Sequence, residues 1–550
     1  MSKFNTAGSG RSRPARGKSV SSTEKVGVKT YEGALGVETD PKTSLFRLAV
    51  TFMSGDSAFY ESEDIRYARL VNLVHRISED EESVNAWILP FVKWLRSRDG
   101  AAQRTAAVAI ASEFIRARSG TDGQGDGRAL VGAACTRGDD PLEMVAYWNA
   151  RYGGGLPRAM RMGIADWFRS KSHSSPYSYF KYGQGKKGGL GWGDLIKVSH
   201  PSPVDAEQRA FFGWVIGSEG ATPPEMAQNR DNLMHIPEDR RREFLRSLDW
   251  QATAYSAGIT WEWLSSWIPG GMDAEAWEKV IPSMGIFALA RNLRNFDRAG
   301  ISRQSRKFVE DVLTDRDAIR NSGIMPYQWY NAYRAVSDSG SVRWLAQLDD
   351  AVNISLENVP EFSGRTLILA DMSGSMFTPV SRRSNIHMST AAALFASAMK
   401  IRNGANAHLY TFGTWLSPRF ETEPGASILT VTRAIERCMN GTALHDCVRQ
   451  AWAYGDGAGY DRIVLLTDEQ SFGLRAMDGD YFNEHRLTEH YDALPVPDGV
   501  PVYIWNFAGY RAGAVEPGRG RHIFGGFTDS SFKVIPTIES GRDGVWPWER

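Results

Sequence analysis

Arg365–Pro379 reads RTLILADMSGSMFTP. Leu367, Ile368, Leu369 and Ala370 form an unbroken apolar run with no polar alternation. Such a run predicts a strand buried on both faces, the kind found in parallel sheets covered by helices. The run ends in Asp371, and Ser373 and Ser375 follow at alternate positions. Ligands of open α/β sheets gather outside the carboxyl ends of the strands. The stretch therefore predicts a site as well as a fold. A turn can aim Asp371, Ser373 and Ser375 at one point. One carboxylate with neutral oxygens suits a hard divalent cation, Mg²⁺ above all. The competing reading makes Asp371 a helix cap and the serines turn residues.

Downstream, the same grammar repeats. Apolar runs occur at HLYTF (His408–Phe412), RIVLLT (Arg462–Thr467) and VYIWNF (Val502–Phe507), and HMSTAAALFASAMKIR (His387–Arg402) between the first two reads as a helix. This alternation predicts a doubly wound α/β domain with a parallel sheet, spanning residues 362–548 and bounded near SLENVPEFSG, Ser355–Gly364. NGTALHD places Thr442 in a loop before a helix, and LLTDEQ places Asp468 at a strand end on the same sheet edge. Asp371, Ser373, Ser375, Thr442 and Asp468, in that order, resemble the metal-ion-dependent adhesion site of von Willebrand factor A domains. The chain departs from the usual pattern after Thr442, where Ala443 stands in place of an Asp.

Upstream, the pattern changes to helices. In QRTAAVAIASEFIRAR, Ala107, Ile110, Ala111 and Phe114 share one helical face, as do Ile286, Leu289, Ala290 and Leu293 in SMGIFALARNLRNF. Many such helices with few strand-like runs predict stacked helical hairpins over residues 31–358. SGTDGQGDGR, Ser119–Arg128, reads as a surface loop between helices. Residues 1–30, rich in Ser, Gly and Arg, read as a disordered basic tail.

Composition bounds the function. With 550 residues, 42% apolar and 23% charged, the chain is an ordinary globular protein of two to four domains. Formal net charge is zero, so partners must be read from local patches. Three cysteines without a CxxC argue against a disulfide framework and for a reducing cytoplasm. No apolar run is long enough for a membrane span, and the N-terminus has no apolar core of a secretory signal.

One local patch stands out. GGGLPRAMRMGIADWFRSK carries Arg158 and Arg161 on one helical face. SYFKYGQGKKGGLGWGDLIKVSHPSP follows, with Lys181, Lys186, Lys187, Trp192, Lys197 and His200 among Tyr179, Phe180 and Tyr182. Basic side chains neutralise phosphates and aromatic faces stack on unpaired bases. The bland reading is a solvated basic loop beside core aromatics. The Gly-Lys run is not a phosphate-binding Walker loop, because no GxxxxGK[ST] occurs.

LPRAMRMGIADW, FKY, the basic Gly loop and GWGDLIKVSHPSP together resemble the RNA-binding region of the TROVE domain, which defines the Ro autoantigen proteins and their bacterial orthologues. TYEGALGVETDPKTSLFRLAVTF, IFALARNLRNF and MPYQWYNAYRAV resemble other parts of that domain, and GRTLILADMSGSM, DRIVLLTDEQSFG and GGFTDSSFKVIPTIESG resemble the second domain of Ro proteins. The resemblance implies a closed HEAT-like helical ring joined by a von Willebrand factor A-like domain. It implies a non-enzymatic, monomeric protein that binds small noncoding Y RNAs and single-stranded 3′ ends of misfolded or decaying RNAs, in cooperation with exoribonucleases. Lys181 and His200 match RNA-contacting positions of the family, with Lys186 or Lys187 filling a third. Arg291 and Arg294 of RNLRNF are further candidates, set against a solvated helix face. The rival readings are a protein-interaction module that captures an acidic partner through the cation, and a metal-dependent nuclease, for which two carboxylates are a poor set.

Overall fold

The computed structural model describes residues 26–29, 35–37, 40–51, 63–79, 84–97, 104–119, 124–185, 189–247, 250–380, 385–423, 425–455, 459–470, 494–497, 499–508, 521–525, 532, 534–539, 546 and 548. Lys186, Lys187 and residues 1–25 lie outside them. By its internal contacts the chain forms two compact units. One comprises Ala111–Ser322 and Ala332–Ala351; the other takes the described residues up to Ile110, Gly323–Asn331, and those from Val352 onward.

The first unit is helical. Its helices are short and cross-packed, and glycines let them approach closely. Helix Gln124–Ala134 lies against helix Arg158–Arg169 at Gly163, where a Cβ would stand 2.5 Å from the Val131 Cβ and 2.8 Å from the Arg128 carbonyl oxygen. Within Ser119–Arg128, expected to be a loop, the helix starts at Gln124, and residues 120–123 lie outside the described residues. The glycines there suggest a loop, but packing of the following Leu130 and Val131, both 0% exposed, extends the helix backward.

The second unit holds a five-stranded sheet. After the antiparallel pair β1 (Val26–Lys29) and β2 (Leu35–Val37) come β3 (Thr366–Asp371), β4 (Ala407–Phe412), β5 (Arg462–Thr467), β6 (Val502–Asn506) and β7 (Arg521–Gly525). Strand β1 falls within the stretch expected to be a disordered tail, so that expectation fails for Val26–Lys29, which finds hydrogen-bonding partners in Leu35–Val37. The sheet order is β4-β3-β5-β6-β7, all parallel. Every residue of β3, β4, β5 and β6 is buried, as the unbroken apolar runs demand. On one face Leu367, Leu369, Ile463, Leu465, Val502 and Ile504 pack with Leu444, Cys447 and Val448 of helix Leu444–Ala453. On the other, Phe395 of helix Met388–Asn403 meets Trp505, Phe507 and Phe532 at ring distances of 6.3, 5.7 and 5.3 Å. Chain order reverses between β3 and β5, which places the crevice of the sheet at their carboxyl ends.

The same unit includes Pro41–Thr51 and Leu89–Arg96, helices from the start of the chain. The end of the chain reaches them: Trp546 and Trp548 stack on each other at 5.1 Å, and their rings lie 5.6 Å from Phe46 and 4.9 Å from Phe91, respectively. Among the described residues no helix is long and apolar enough to cross a membrane.

Candidate functional site

The carboxyl ends of β3 and β5 and the loop before helix Leu444–Ala453 carry the five residues expected to ligate a metal. Parallel pairing sets Ala370 opposite Leu466, so Asp371 emerges beside Thr467 and Asp468 follows one residue further at the same edge. Asp371 is 0% exposed; its Oδ1 accepts from the Ser373 amide at 2.8 Å and its Oδ2 from the Thr467 hydroxyl at 2.6 Å. The Ser373 and Ser375 hydroxyls stand 3.4 Å apart. Thr442 arrives from a loop that is stitched to both neighbouring strand ends. The Gly374 amide donates to the Asn440 carbonyl at 2.6 Å, the Met439 amide to Met372 at 2.7 Å and the Ala443 amide to Gly413 at 2.8 Å. Gly413 has no alternative: a Cβ there would lie 2.4 Å from the Met439 Cβ and 2.5 Å from its carbonyl oxygen.

Ser373, Ser375, Thr442 and Asp468 are all buried as well. Two carboxylates and three hydroxyls are hard oxygen donors, the type that Mg²⁺ takes while keeping some of its waters. Among the described residues no group of three or more His, Cys, Asp or Glu could hold a metal ion, so the hydroxyls are indispensable to any cation here. Two supporting residues are not marked by the motif. Thr467 holds the Asp371 carboxylate, and its hydroxyl also accepts from the Glu469 amide at 2.9 Å. Glu469, 0% exposed and at φ 59°, accepts from the Asn506 amide nitrogen at 2.8 Å. Asp446 faces elsewhere, paired with Arg449 at 2.8 Å. Burial, together with the Asp371 and Asp446 charges, pushes the Cys447 thiol up to about 12, so it stays protonated.

The basic residues lie in the helical unit. Helix Arg158–Arg169 buries Met160, Ile164, Trp167 and Phe168, and turns Arg158, Arg161, Met162 and Arg169 outward. A π-helical turn, Tyr179–Gly183, presents Lys181, whose ammonium lies 5.5 Å from the Tyr177 ring centre and 5.4 Å from that of Tyr182. Burial opposes the Lys181 charge, but the two tyrosines outweigh it and its pKa is raised. Helix Trp192–Ser199 exposes Lys197 and ends at His200, exposed and left-handed at φ 49°. Helix Ile286–Ala299 exposes Arg291 and Arg294 opposite its buried Leu289, Leu293 and Phe296, with the Arg291 guanidinium 5.7 Å over the Phe287 ring.

Not every cation is available. Lys171 is held between Asp205 at 2.6 Å and Glu207 at 2.8 Å. Among the described residues Arg158, Arg161, Lys181, Lys197, Arg291 and Arg294 pair with no carboxylate.

Trp192 corrects the expectation of a stacking surface. It is 0% exposed, its indole N–H donates to the Gly138 carbonyl at 2.8 Å, and its ring meets Trp167 and Phe168 edge-on at 5.4 Å. Its aromatic faces are taken up by the core, so it positions Lys197 and His200 rather than touching a base. Gly183 accommodates it, since a Cβ there would stand 2.6 Å from the indole.

Residues 256–378 match the TROVE domain family. That stretch includes Arg291, Arg294 and the Asp371–Ser375 loop; the basic segment at 158–200 lies outside it. No curated protein matches the chain. Among solved structures, the crystal structure of the Deinococcus radiodurans Ro (RSR) protein is similar with a TM-score of 0.63 and 17% identity, over 90% of this chain and 99% of that one. The fold is thus that of the Ro protein, helical repeats followed by an α/β domain of the von Willebrand factor A type, as the motifs implied.

Proposed function

We propose that this TROVE-domain chain, with the fold of a bacterial Ro protein, is a non-enzymatic RNA-binding protein. It takes small structured noncoding RNAs of the Y type, and single-stranded 3′ ends of misfolded or decaying RNAs. In that role it assembles ribonucleoproteins and serves RNA quality control as a monomer in the cytoplasm, with an exoribonuclease as partner. One observation carries the reading: consecutive elements of one unit present Arg158, Arg161, Lys181, Lys197 and His200 to solvent, and none of the four Arg and Lys side chains has a carboxylate partner among the described residues. Uncompensated cations in series fit a polyphosphate backbone, and weak sequence preference follows from reading charge rather than base edges. Lys186 and Lys187 belong to the same tract by sequence.

The test is purification from the native host followed by sequencing of the accompanying RNA. An abundant structured RNA that disappears in the Lys181→Ala, His200→Ala variant supports the reading; absence of any enriched RNA refutes it.

A second reading concerns the other unit. Asp371, Ser373, Ser375, Thr442 and Asp468, all buried, would hold a divalent cation, Mg²⁺ first. A cation with an open coordination position can accept an acidic side chain of a partner protein. Loss of partner capture in Asp371→Ala with RNA affinity intact separates this function from the first.

A further inference from the structure

A cavity of about 300 Å³ opens in the helical unit where the end of helix Arg104–Ala117 meets the start of helix Arg158–Arg169. Arg116, Arg118 and Arg158 line it, with Trp148, Gly155 and Pro157, and none of the described lining residues is acidic. The backbone adds positive potential. Pro157 precedes the 12-residue helix and offers no side-chain cap, and the first residues of that helix, Arg158 and Ala159, line the cavity. The chain enters through Gly153 and Gly155 at φ 78° and 93°, where an added Cβ would touch nothing, leaving the approach open.

The wall is rigid. The Arg116 guanidinium lies 5.4 Å over the Tyr152 ring, and Trp148 packs on that ring at 4.7 Å. Tyr152 is anchored through its hydroxyl, which donates to Glu113 at 2.5 Å; Tyr147 donates to the same carboxylate at 2.6 Å and Arg151 pairs with it at 3.1 Å. Glu113 is 0% exposed and is engaged by all three of these groups. Burial and the Glu113 charge raise both phenols, which keeps them protonated donors.

We propose that this cavity binds a phosphomonoester, the phosphorylated end of an RNA strand. Arginine forks match phosphate oxygens in pairs, and a helix N-terminus completes the cradle. A monoester carries roughly −1.5 to −2 charge at pH 7 and three free oxygens. An internal phosphodiester has one charge and a chain on either side, which suits a groove and not a pocket. The RNA source rests on the function proposed above; the phosphate chemistry does not.

The experiment uses the full chain and a short single-stranded RNA with a 5′-phosphate, a 3′-phosphate or hydroxyls at both ends, followed by fluorescence anisotropy. One phosphorylated end should bind at least about tenfold tighter than the hydroxyl form, through charge-assisted bonds that the latter cannot make. Arg116→Ala/Arg118→Ala should erase that preference and leave hydroxyl-ended RNA binding unchanged, which also reports that the variant is folded. Should the double variant unfold, Arg116→Gln alone should reduce the preference in the same direction. Equal binding of all three RNAs overturns the pocket while the RNA reading stands. If none of the RNAs binds, the RNA reading fails, and calorimetry with adenosine 5′-monophosphate decides the pocket. Saturable heat lost in the double variant keeps it as a free-phosphate site, and no heat overturns it.

Discussion

Replacing Arg158, Arg161, Lys181 and Lys197 together by Ala tests the electrostatic core of the functional reading. All four side chains are exposed, so folding stability should move little and the melting temperature serves as control. Each phosphate neutralised on a single strand contributes about 0.7 to the slope of log affinity against log salt, so four lost contacts remove about 2.8. Between about 50 and 200 mM salt, that slope alone is a factor of about 50 in affinity. The variant should therefore bind a single-stranded RNA far more weakly at low salt and approach the wild type at high salt. The assay is anisotropy across a salt series. A second variant sharpens it: Arg246→Ala/Glu275→Ala removes a cation already paired with a carboxylate at 2.6 Å, together with that carboxylate, and should leave the slope alone. A quadruple variant whose slope matches the wild type would refute the assignment of these four residues to RNA. Equal losses in the two variants would refute the argument that unpaired charge selects the contact surface.

Three further outcomes are expected. Asp371→Asn should weaken Mg²⁺ or Mn²⁺ binding by more than about a hundredfold, because it removes one of two carboxylates; calorimetry with the metal chlorides reads this, and RNA affinity should be unaffected. Gly413→Ala should destabilise the α/β unit by about 1–3 kcal/mol, since its Cβ would collide with the backbone that carries Thr442, and the urea midpoint of that unit reports it. Burial lowers the His173 pKa below its usual 6.5, partly offset by Asp140, where the ring stacks on Trp167 at 5.4 Å. The neutral ring is favoured in the folded state, so stability is full above about 6.5 and declines as the pH falls through that value; His173→Phe should flatten the dependence of melting temperature on pH between about 7 and 5.

Much of the fold and part of the site were legible in the residues alone. Arg462–Thr467 reads as a strand with the bounds it has, and the other central strands differ by no more than one residue at either end. Continuous apolar runs can be buried on both faces only inside a covered parallel sheet, so pattern determines class. The order Asp371, Ser373, Ser375, Thr442, Asp468 could be read as one site because parallel strands bring every carboxyl end to the same edge.

The tertiary structure decided what pattern cannot carry. Trp192 sits in a basic, glycine-rich stretch that looks like surface, yet it is core, because long-range packing with Trp167 and Phe168 outweighs its neighbours in sequence. Edge strand β7 (Arg521–Gly525) carries a short mixed run and needs β6 beside it to be a strand. Lys171 looks like Lys181 in the sequence, and only the fold supplies it with Asp205 and Glu207. Arg116 and Arg118 stand about 40 residues from Arg158 in the chain, with nothing in their spacing to join them. Secondary structure and ligand type follow from local chemistry and periodicity, which a sequence displays. Which charges are left uncompensated, and which charges share a cavity, depend on contacts between distant segments, and those exist only once the chain has folded.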